Sequence, residues 1–174
     1  MDYNTQWQEL VNDMESFGSI YTDLDFSSFD LTVPDIVIIA GMTYIARFYV
    51  DHPQAHDIER ACRVYAENIA YDPFLLGRML ISKEGFQPSG TESTSFLDSI
   101  YIRIMLYWVV NHIRVPRPGI MSAKEFGEIV RTKGCGDDTV CCWSERKEIA
   151  LPEIKKHFDE TFGMTVTNGS KTTD

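Results

Sequence analysis

Aspartates at two predicted turns are the side chains of this sequence best suited to chemistry. Asp25 and Asp30 stand at the end of a predicted strand and just after it, with four residues between them. Asp137 and Asp138 follow Gly136 between two runs rich in β-branched and aromatic residues. Such runs around Gly and Asp are typical of a β-hairpin, since both residue types tolerate the positive φ of a tight turn. Two carboxylates placed like Asp25 and Asp30, at a strand end and at the following turn toward a helix, can hold a metal ion and a ligand.

Both patterns also have a purely structural explanation. A solvated Asp-Asp turn is common in hairpins, and a carboxylate that follows a strand can cap the next helix. Short matches of this kind have a high false-positive rate. The aspartates alone therefore leave a catalytic and a structural interpretation open.

The composition predicts a single globular domain. With 174 residues, 44% of them hydrophobic, the chain can bury one core but is too short for two ordinary domains. The N-terminus is polar and acidic where a signal peptide would be basic and then apolar. The most apolar stretch, residues 36–46, is far shorter than the roughly 20 residues that span a bilayer. We therefore expect a soluble protein.

Charge and cysteine usage narrow the class of protein further. A net charge of −10 argues against a face that binds nucleic acid on its own. The four cysteines form no CxxC pair, so we expect reduced thiols in an intracellular compartment. The four histidines are scattered along the chain, which argues against a zinc site.

Hydrophobic spacing predicts the elements that must position the aspartates. Helices are expected over residues 1–18, 32–51, 55–70, 92–112, 122–128 and 151–162, and strands over 19–26, within 75–86, as a hairpin over 129–143, and over 164–167. Thr32 is expected to cap the second helix, with Pro34 in its first turn. The helix over 92–112 is apolar nearly all round and should be buried, so Asp98, one turn after Thr94, needs a partner or a polar cavity.

Three motifs occur in one order along the chain: Asp25-x4-Asp30, Ser89-Gly90-x3-Thr94 and Gly136-Asp137-Asp138. Together they resemble motifs A, B and C of the palm of viral RNA-dependent RNA polymerases, most closely those of positive-strand, picorna-like viruses. The run from Gly163 to Thr167, followed by Lys171, is similar to motif D. The motifs would occupy residues 21–34 (A), 86–112 (B), 129–143 (C) and 152–171 (D).

The resemblance implies an α/β palm fold, with a small antiparallel sheet backed by helices and a few elements of the fingers. It also implies template-directed RNA synthesis from nucleoside triphosphates on an RNA template and primer, in the cytoplasm of a host cell. Two Mg²⁺ or Mn²⁺ ions would serve as cofactors. The catalytic residues would be Asp25, Asp137, Asp138 and Lys171, the first three as metal ligands and the lysine as general acid. The residues that bind the nucleotide and its ribose would be Asp30, Ser89, Gly90, Thr94 and Asp98.

Two positions depart from the family pattern. Cys135 stands where the family usually has Tyr, which removes bulk beside the primer end. Asp98 stands where the family usually has Asn, and an ionised carboxylate only accepts hydrogen bonds whereas an amide also donates. Ribose selection by the usual pattern therefore requires Asp98 either to be protonated or to accept from the hydroxyl.

The basic nucleotide-entry segment and the thumb of the family have no counterpart in this sequence, which is consistent with its acidic charge. We therefore expect the core of a larger polymerase, inactive by itself, whose partner is the rest of the enzyme. A reverse transcriptase palm and a non-catalytic scaffold are the alternatives. A separation of more than about 10 Å between Asp25 and Asp137 would exclude the polymerase, because two ions in such sites are only about 4 Å apart.

Overall fold

The computed structural model describes residues 3–87, 93–115 and 119–167. Within these ranges the chain forms seven helices and six strands. In order they are α1 (Tyr3–Phe17), β1 (Ile20–Phe26), α2 (Phe29–Thr32), α3 (Asp35–Arg47), α4 (Ala55–Tyr71), β2 (Phe74–Leu76), β3 (Met79–Ile81), α5 (Thr94–Arg114), α6 (Ala123–Gly127), β4 (Val130–Cys135), β5 (Asp138–Trp143), α7 (Leu151–Phe162) and β6 (Val166–Thr167).

A four-stranded antiparallel sheet in the order β4-β5-β1-β6 is the platform of the molecule. In β1 the side chains alternate between the two faces, as the pleat of a strand requires. Leu24 and Phe26 are buried against the helices, whereas Asp23 is exposed and Asp25 only half-buried. The sheet therefore presents its carboxylates on the side away from the core. A separate hairpin, β2-β3, forms a small second sheet.

Helix α5 fills the core beside the sheet. Its buried face is apolar and lies among side chains of the sheet and of helices α3 and α7. The buried residues of α5 are Leu97, Asp98, Tyr101, Ile102, Met105, Leu106, Val109 and Val110. Asp98 is the only carboxyl group among these buried residues, so an ionisable group is set into a mostly apolar face.

Most of the predicted elements are confirmed, including the antiparallel sheet and the β-hairpin around Gly136. The predicted cap at Thr32 is wrong, because this residue ends the short helix α2, and Pro34 occupies the N-cap of α3. Helix α3 ends at Arg47 and is followed by turns, earlier than the spacing predicts. Helix α5 is also less buried than predicted, since Phe96 and Trp108 are exposed. Among the described residues, no helix has the length and apolar character needed to cross a bilayer.

Candidate active site

The turn between β4 and β5 carries the Gly-Asp-Asp sequence and is fixed against helix α5. Cys135 pairs with Asp138, so Gly136 and Asp137 are the two residues of the turn. Gly136 has a φ of 68°, which glycine adopts without a steric penalty. Its N–H donates to the carbonyl of Ser95 at 3.2 Å and to Oγ of Ser99 at 3.1 Å. The hairpin turn is therefore held on the first two turns of the helix that carries Asp98.

Asp25 is placed beside this turn by strand register. Leu24 is paired with Thr139 across β1 and β5, so the next position on each strand is Asp25 and Asp138. On its other side Asp25 pairs with Thr167 of β6. The Thr167 hydroxyl donates to Oδ2 of Asp25 at 2.7 Å, which fixes the orientation of that carboxylate.

Asp98 lies close enough to two further carboxylates of the site, Asp30 and Asp137, for their charges to act on it. It is 3% exposed, and burial raises its pKa to about 7. The negative charges of Asp30 and Asp137 and a hydrogen bond with Asp30 act on this pKa in the same direction. A carboxyl in this environment is partly protonated near neutral pH, so it can donate a hydrogen bond as well as accept one.

The charges around Asp137 show that the aspartates act on one another. Burial raises the pKa of Asp137, a backbone hydrogen bond opposes this shift, and the charges of Asp138, Asp30 and Asp25 raise it again. Mutual repulsion of this kind is relieved by a cation, and carboxylate oxygens are the ligands that Mg²⁺ prefers. In the part of the chain that the structure describes, no three acidic, histidine or cysteine side chains stand close enough together to form a ready-made metal site. The donor set fits a divalent ion in its chemistry, and the two-ion site stays a prediction.

A cleft of about 840 Å³ opens beside these carboxylates. Its walls come from α2, β2, the residues that follow β3 (Lys83 and Phe86), the start of α5 and the β4-β5 turn. The residues lining it include Asp30, Phe74, Lys83, Phe86, Thr94, Ser95, Asp98, Cys135 and Asp137. Because this cleft is large and several of the aspartates line it, a ligand bound in the cleft would contact them.

Lys83 and Phe86 give this cleft a positive and aromatic side. The ammonium of Lys83 lies 5.0 Å from the centre of the Phe86 ring, and burial lowers the pKa of this lysine. Phe86 has a φ of 76°, unusual for a bulky residue, and its N–H donates to the carbonyl of Val33 at 2.9 Å. The fold therefore maintains a strained conformation in the segment before α5.

The structure brings most of the sequence-predicted site residues to this one end of the sheet. Asp30, Thr94, Asp98 and Asp137 line the cleft, and Asp25 and Asp138 lie beside it through strand register. Ser89, Gly90 and Lys171, which are also predicted site residues, lie outside the described residues. Their predicted roles stay predictions.

Three residues that the sequence analysis did not single out support the site. Thr167 donates to Asp25, Ser99 accepts from the Gly136 N–H, and Lys83 lines the cleft. Thr167 and Asp25 are 142 positions apart in the chain, so no local pattern could have paired them. The position of Lys83 shortly before the motif B loop was a possible signal, but a single lysine is too common to interpret alone.

A second cavity, of about 600 Å³, lies between α3 and α4. It is lined by Arg47, Arg60 and Arg63 together with apolar side chains of both helices. None of the predicted site residues lines it. It is therefore separate from the carboxylate cleft.

Comparison with known proteins identifies the family. The sequence model of the viral RNA-dependent RNA polymerases matches residues 1–174. The chain therefore belongs to the viral RNA-dependent RNA polymerase family. The resemblance seen in the sequence motifs is confirmed.

Individual relatives agree with this assignment. The genome polyprotein of human hepatitis A virus genotype IIB is 30% identical over 99% of this chain, and that of simian hepatitis A virus genotype V is 29% identical over 98% of it. The chain spans only 7% of the length of each of these polyproteins. Among solved structures, the sicinivirus 3Dpol RNA-dependent RNA polymerase superposes with a TM-score of 0.72 at 20% identity. That match covers 97% of this chain and 32% of the sicinivirus chain, which confirms the fold class.

Proposed function

We propose that this chain is the catalytic palm of a larger viral RNA polymerase that joins nucleotides on an RNA template. One observation carries the proposal: the end of β1, the β4-β5 turn and the start of α5 bring their carboxylates together beside a single cleft. A scaffold protein has no need to maintain acidic side chains that raise one another's pKa. Membership of the polymerase family supplies the reaction that such a site would perform.

Asp25, Asp137 and Asp138 are the residues that would hold the divalent ions. When bound, such ions promote attack by a hydroxyl oxygen on a phosphorus and stabilise the charge on the leaving pyrophosphate. The protein's own contribution is positioning. Thr167 orients the Asp25 carboxylate, and the hydrogen bonds from the Gly136 N–H hold the turn that carries Asp137.

Asp30, Thr94 and Asp98 form the side of the cleft that would contact the sugar of the incoming nucleotide. Asp98 bonds to Asp30 and lies one helical turn from Thr94. A protonated Asp98 offers a donor to a ribose hydroxyl, as the amide found at this position in the family would. Protonation would thus supply the donor that an ionised carboxylate at position 98 lacks.

The direct test uses the complete polymerase that carries this chain. We expect Asp25→Ala and Asp137→Ala each to reduce RNA synthesis by at least about a hundredfold, because each removes a group at the reacting centre. Asp23→Ala is the matched control, since Asp23 lies two residues earlier on the same strand and face and is exposed. Equal losses in all three variants, or full activity in the first two, would overturn the proposal.

Calorimetry on the 174-residue chain separates binding from chemistry. Magnesium together with a nucleoside triphosphate should bind to the parent chain and to Asp23→Ala, and binding should weaken in Asp25→Ala and Asp137→Ala. Use of deoxynucleoside triphosphates in preference to ribonucleoside triphosphates by the complete enzyme would instead favour a reverse transcriptase.

A further inference from the structure

Two buried polar atoms on helix α5 lack hydrogen-bond partners in the structure. They are Oδ1 of Asp98 and the hydroxyl of Tyr101, and their residues are 3% and 0% exposed. Buried oxygens of this kind nearly always have a partner in folded proteins. Two such atoms on one helix therefore call for a common explanation.

The geometry of the helix brings these two atoms to the same place. Asp98 and Tyr101 are three residues apart, so they lie on one face of α5. Long side chains on a helix point back toward its N-terminus, which directs the Tyr101 ring over the turn that holds Asp98. In agreement with this, the charge of Asp98 is, after burial, the second cause that raises the pKa of Tyr101.

Helix α3 has a space shaped for the tyrosine ring. A Cβ atom added at Gly41 would lie 2.5 Å from Cε1 and 2.8 Å from Cδ1 of Tyr101. The ring thus packs against bare backbone, and this contact restricts where the hydroxyl can go. Tyr65 of α4 is the other polar group that acts on Tyr101, but its hydroxyl is already 3.0 Å from Oγ of Ser93.

We infer that Tyr101 is a positioning residue for ribose selection: its hydroxyl donates, through one buried water, to the inner oxygen of Asp98. This bond would leave the outer oxygen of Asp98 facing Asp30 and the cleft. The inference rests on the proposed function, since it assigns Tyr101 a role at the same sugar-binding wall. Residue 101 lies within the motif B segment but is none of the positions that define the motif, so the sequence pattern gives it no role.

A double-mutant cycle tests the contact without any need for activity. In the 174-residue chain, Tyr101→Phe and Asp98→Ala are made singly and together, and the unfolding equilibrium is measured for each. We expect the effect of Tyr101→Phe on the unfolding constant to differ by about fivefold or more between the parent chain and the Asp98→Ala variant. Tyr107→Phe is the control, since its hydroxyl, on the same helix, donates to the carbonyl of Met121. Its effect should be the same with and without Asp98→Ala.

Ribose selection in the complete polymerase tests the positioning role. Tyr101→Phe should lower the preference for ribonucleotides over deoxynucleotides by about tenfold, in the ratio of kcat/KM values, and should do so only when Asp98 is present. Gly41→Ala, which retains both polar groups but displaces the ring, should lower the preference in the same direction. Tyr107→Phe should leave it unchanged.

Three results would overturn the inference. The first is that Tyr101→Phe has the same effect on the unfolding constant with and without Asp98→Ala, as expected for the Tyr107→Phe control. The second is that Tyr101→Phe lowers ribose selection as much in the Asp98→Ala enzyme as in the parent enzyme, which would indicate a general structural role. The third is unchanged selection in Tyr101→Phe. If the parent polymerase makes no RNA, the proposed function fails, and the unfolding cycle alone decides for or against the contact.

Discussion

Asp98 shows how a single carboxyl can be tuned by its surroundings. Its neighbours are two further acids, Asp30 and Asp137, and it is only 3% exposed on a helix whose buried face is mostly apolar. In the unfolded chain the same group would ionise near its ordinary pKa of 3.8. Folding therefore favours the protonated form, which makes the stability of the fold dependent on pH.

The sign of that dependence follows from linkage. The stabilising contribution of protonated Asp98 is complete below its unfolded-state pKa of 3.8, and it is lost as the pH rises through the folded-state pKa of about 7. Within this window the group lowers the unfolding free energy by at most about 1.4 kcal/mol per pH unit. Asp98→Asn should remove this part of the slope. Denaturant unfolding of both proteins at about pH 5 and about pH 8, with chelator present, measures the difference, and parallel pH profiles would contradict the assignment.

Thr167 provides a second test at the scale of one residue. Its hydroxyl donates to the half-buried carboxylate of Asp25 at 2.7 Å. Thr167→Val keeps the shape of the side chain but removes the donor, so we expect a loss of about 1.5 kcal/mol in unfolding free energy, the low end for a hydrogen bond to a charged group. Thr165→Val is the control, because Thr165 is exposed and lies two residues earlier. Equal effects of the two substitutions would show that the hydroxyl at 167 contributes nothing particular.

At the scale of elements, the site depends on the contact between the β4-β5 turn and helix α5. Ser99 contributes twice, since its Oγ accepts from the Gly136 N–H at 3.1 Å and donates to the carbonyl of Ser95 at 2.7 Å. The turn and the helix are far apart in sequence, so this contact sets the relative position of Asp137 and Asp98.

Removal of the Ser99 hydroxyl should therefore affect both stability and activity. We expect Ser99→Ala to lower the unfolding free energy by about 1 kcal/mol, the typical value for one hydrogen bond. Because the turn shifts, kcat in the complete polymerase should fall by about tenfold, with a smaller effect on KM. Ser16→Ala is the control, since the Ser16 hydroxyl bonds only within helix α1, to the carbonyl of Asp13. A Ser99→Ala enzyme with the kinetics of Ser16→Ala would show that this contact does not position the turn.

Most of the helices and strands could be predicted, because the sequence signals that define them are local. Periodic apolar residues and the Gly-Asp turn define helices α4, α5 and α7 and the β4-β5 hairpin within short windows. The error at Thr32 arises where a short helix, α2, directly precedes the longer helix α3. Thr32 bonds back to the carbonyls of Ser28 and Phe29 in a short helix that the pattern around Pro34 does not reveal.

The acidic residues of the site could be predicted from the sequence, but the residues that hold them in place could not. Asp25, Asp30, Asp98 and Asp137 belong to motifs that can be recognised along the sequence. Thr167 contacts Asp25 only because β6 pairs with β1, a long-range pairing that is not encoded in the residues around either position. Spacing placed Asp98 on an apolar helix, but only the fold could show that it meets Asp30 there.

At the scale of the whole molecule, large apolar side chains remain on the surface. The β2-β3 hairpin exposes five of them, Phe74 at 40%, Leu75 at 70%, Leu76 at 57%, Met79 at 62% and Leu80 at 71%. An isolated two-stranded hairpin is marginally stable in water, and contiguous exposed apolar surface usually marks an interaction site. Under the proposed function, the rest of the polymerase would cover such a surface.

The 174-residue chain on its own should therefore associate with itself despite its net charge of −10. Sedimentation velocity across a roughly hundredfold concentration range should show a rising weight-average mass. Leu75→Lys with Leu80→Lys should suppress this rise, because charges on an exposed strand oppose edge and face association. Val64→Lys is the control, since Val64 is 44% exposed on helix α4 and lies outside the hairpin strands. If the hairpin variant and the control associate equally, the hairpin is not the adhesive surface, and the exposed face of α5 around Phe96 and Trp108 becomes the region to substitute next.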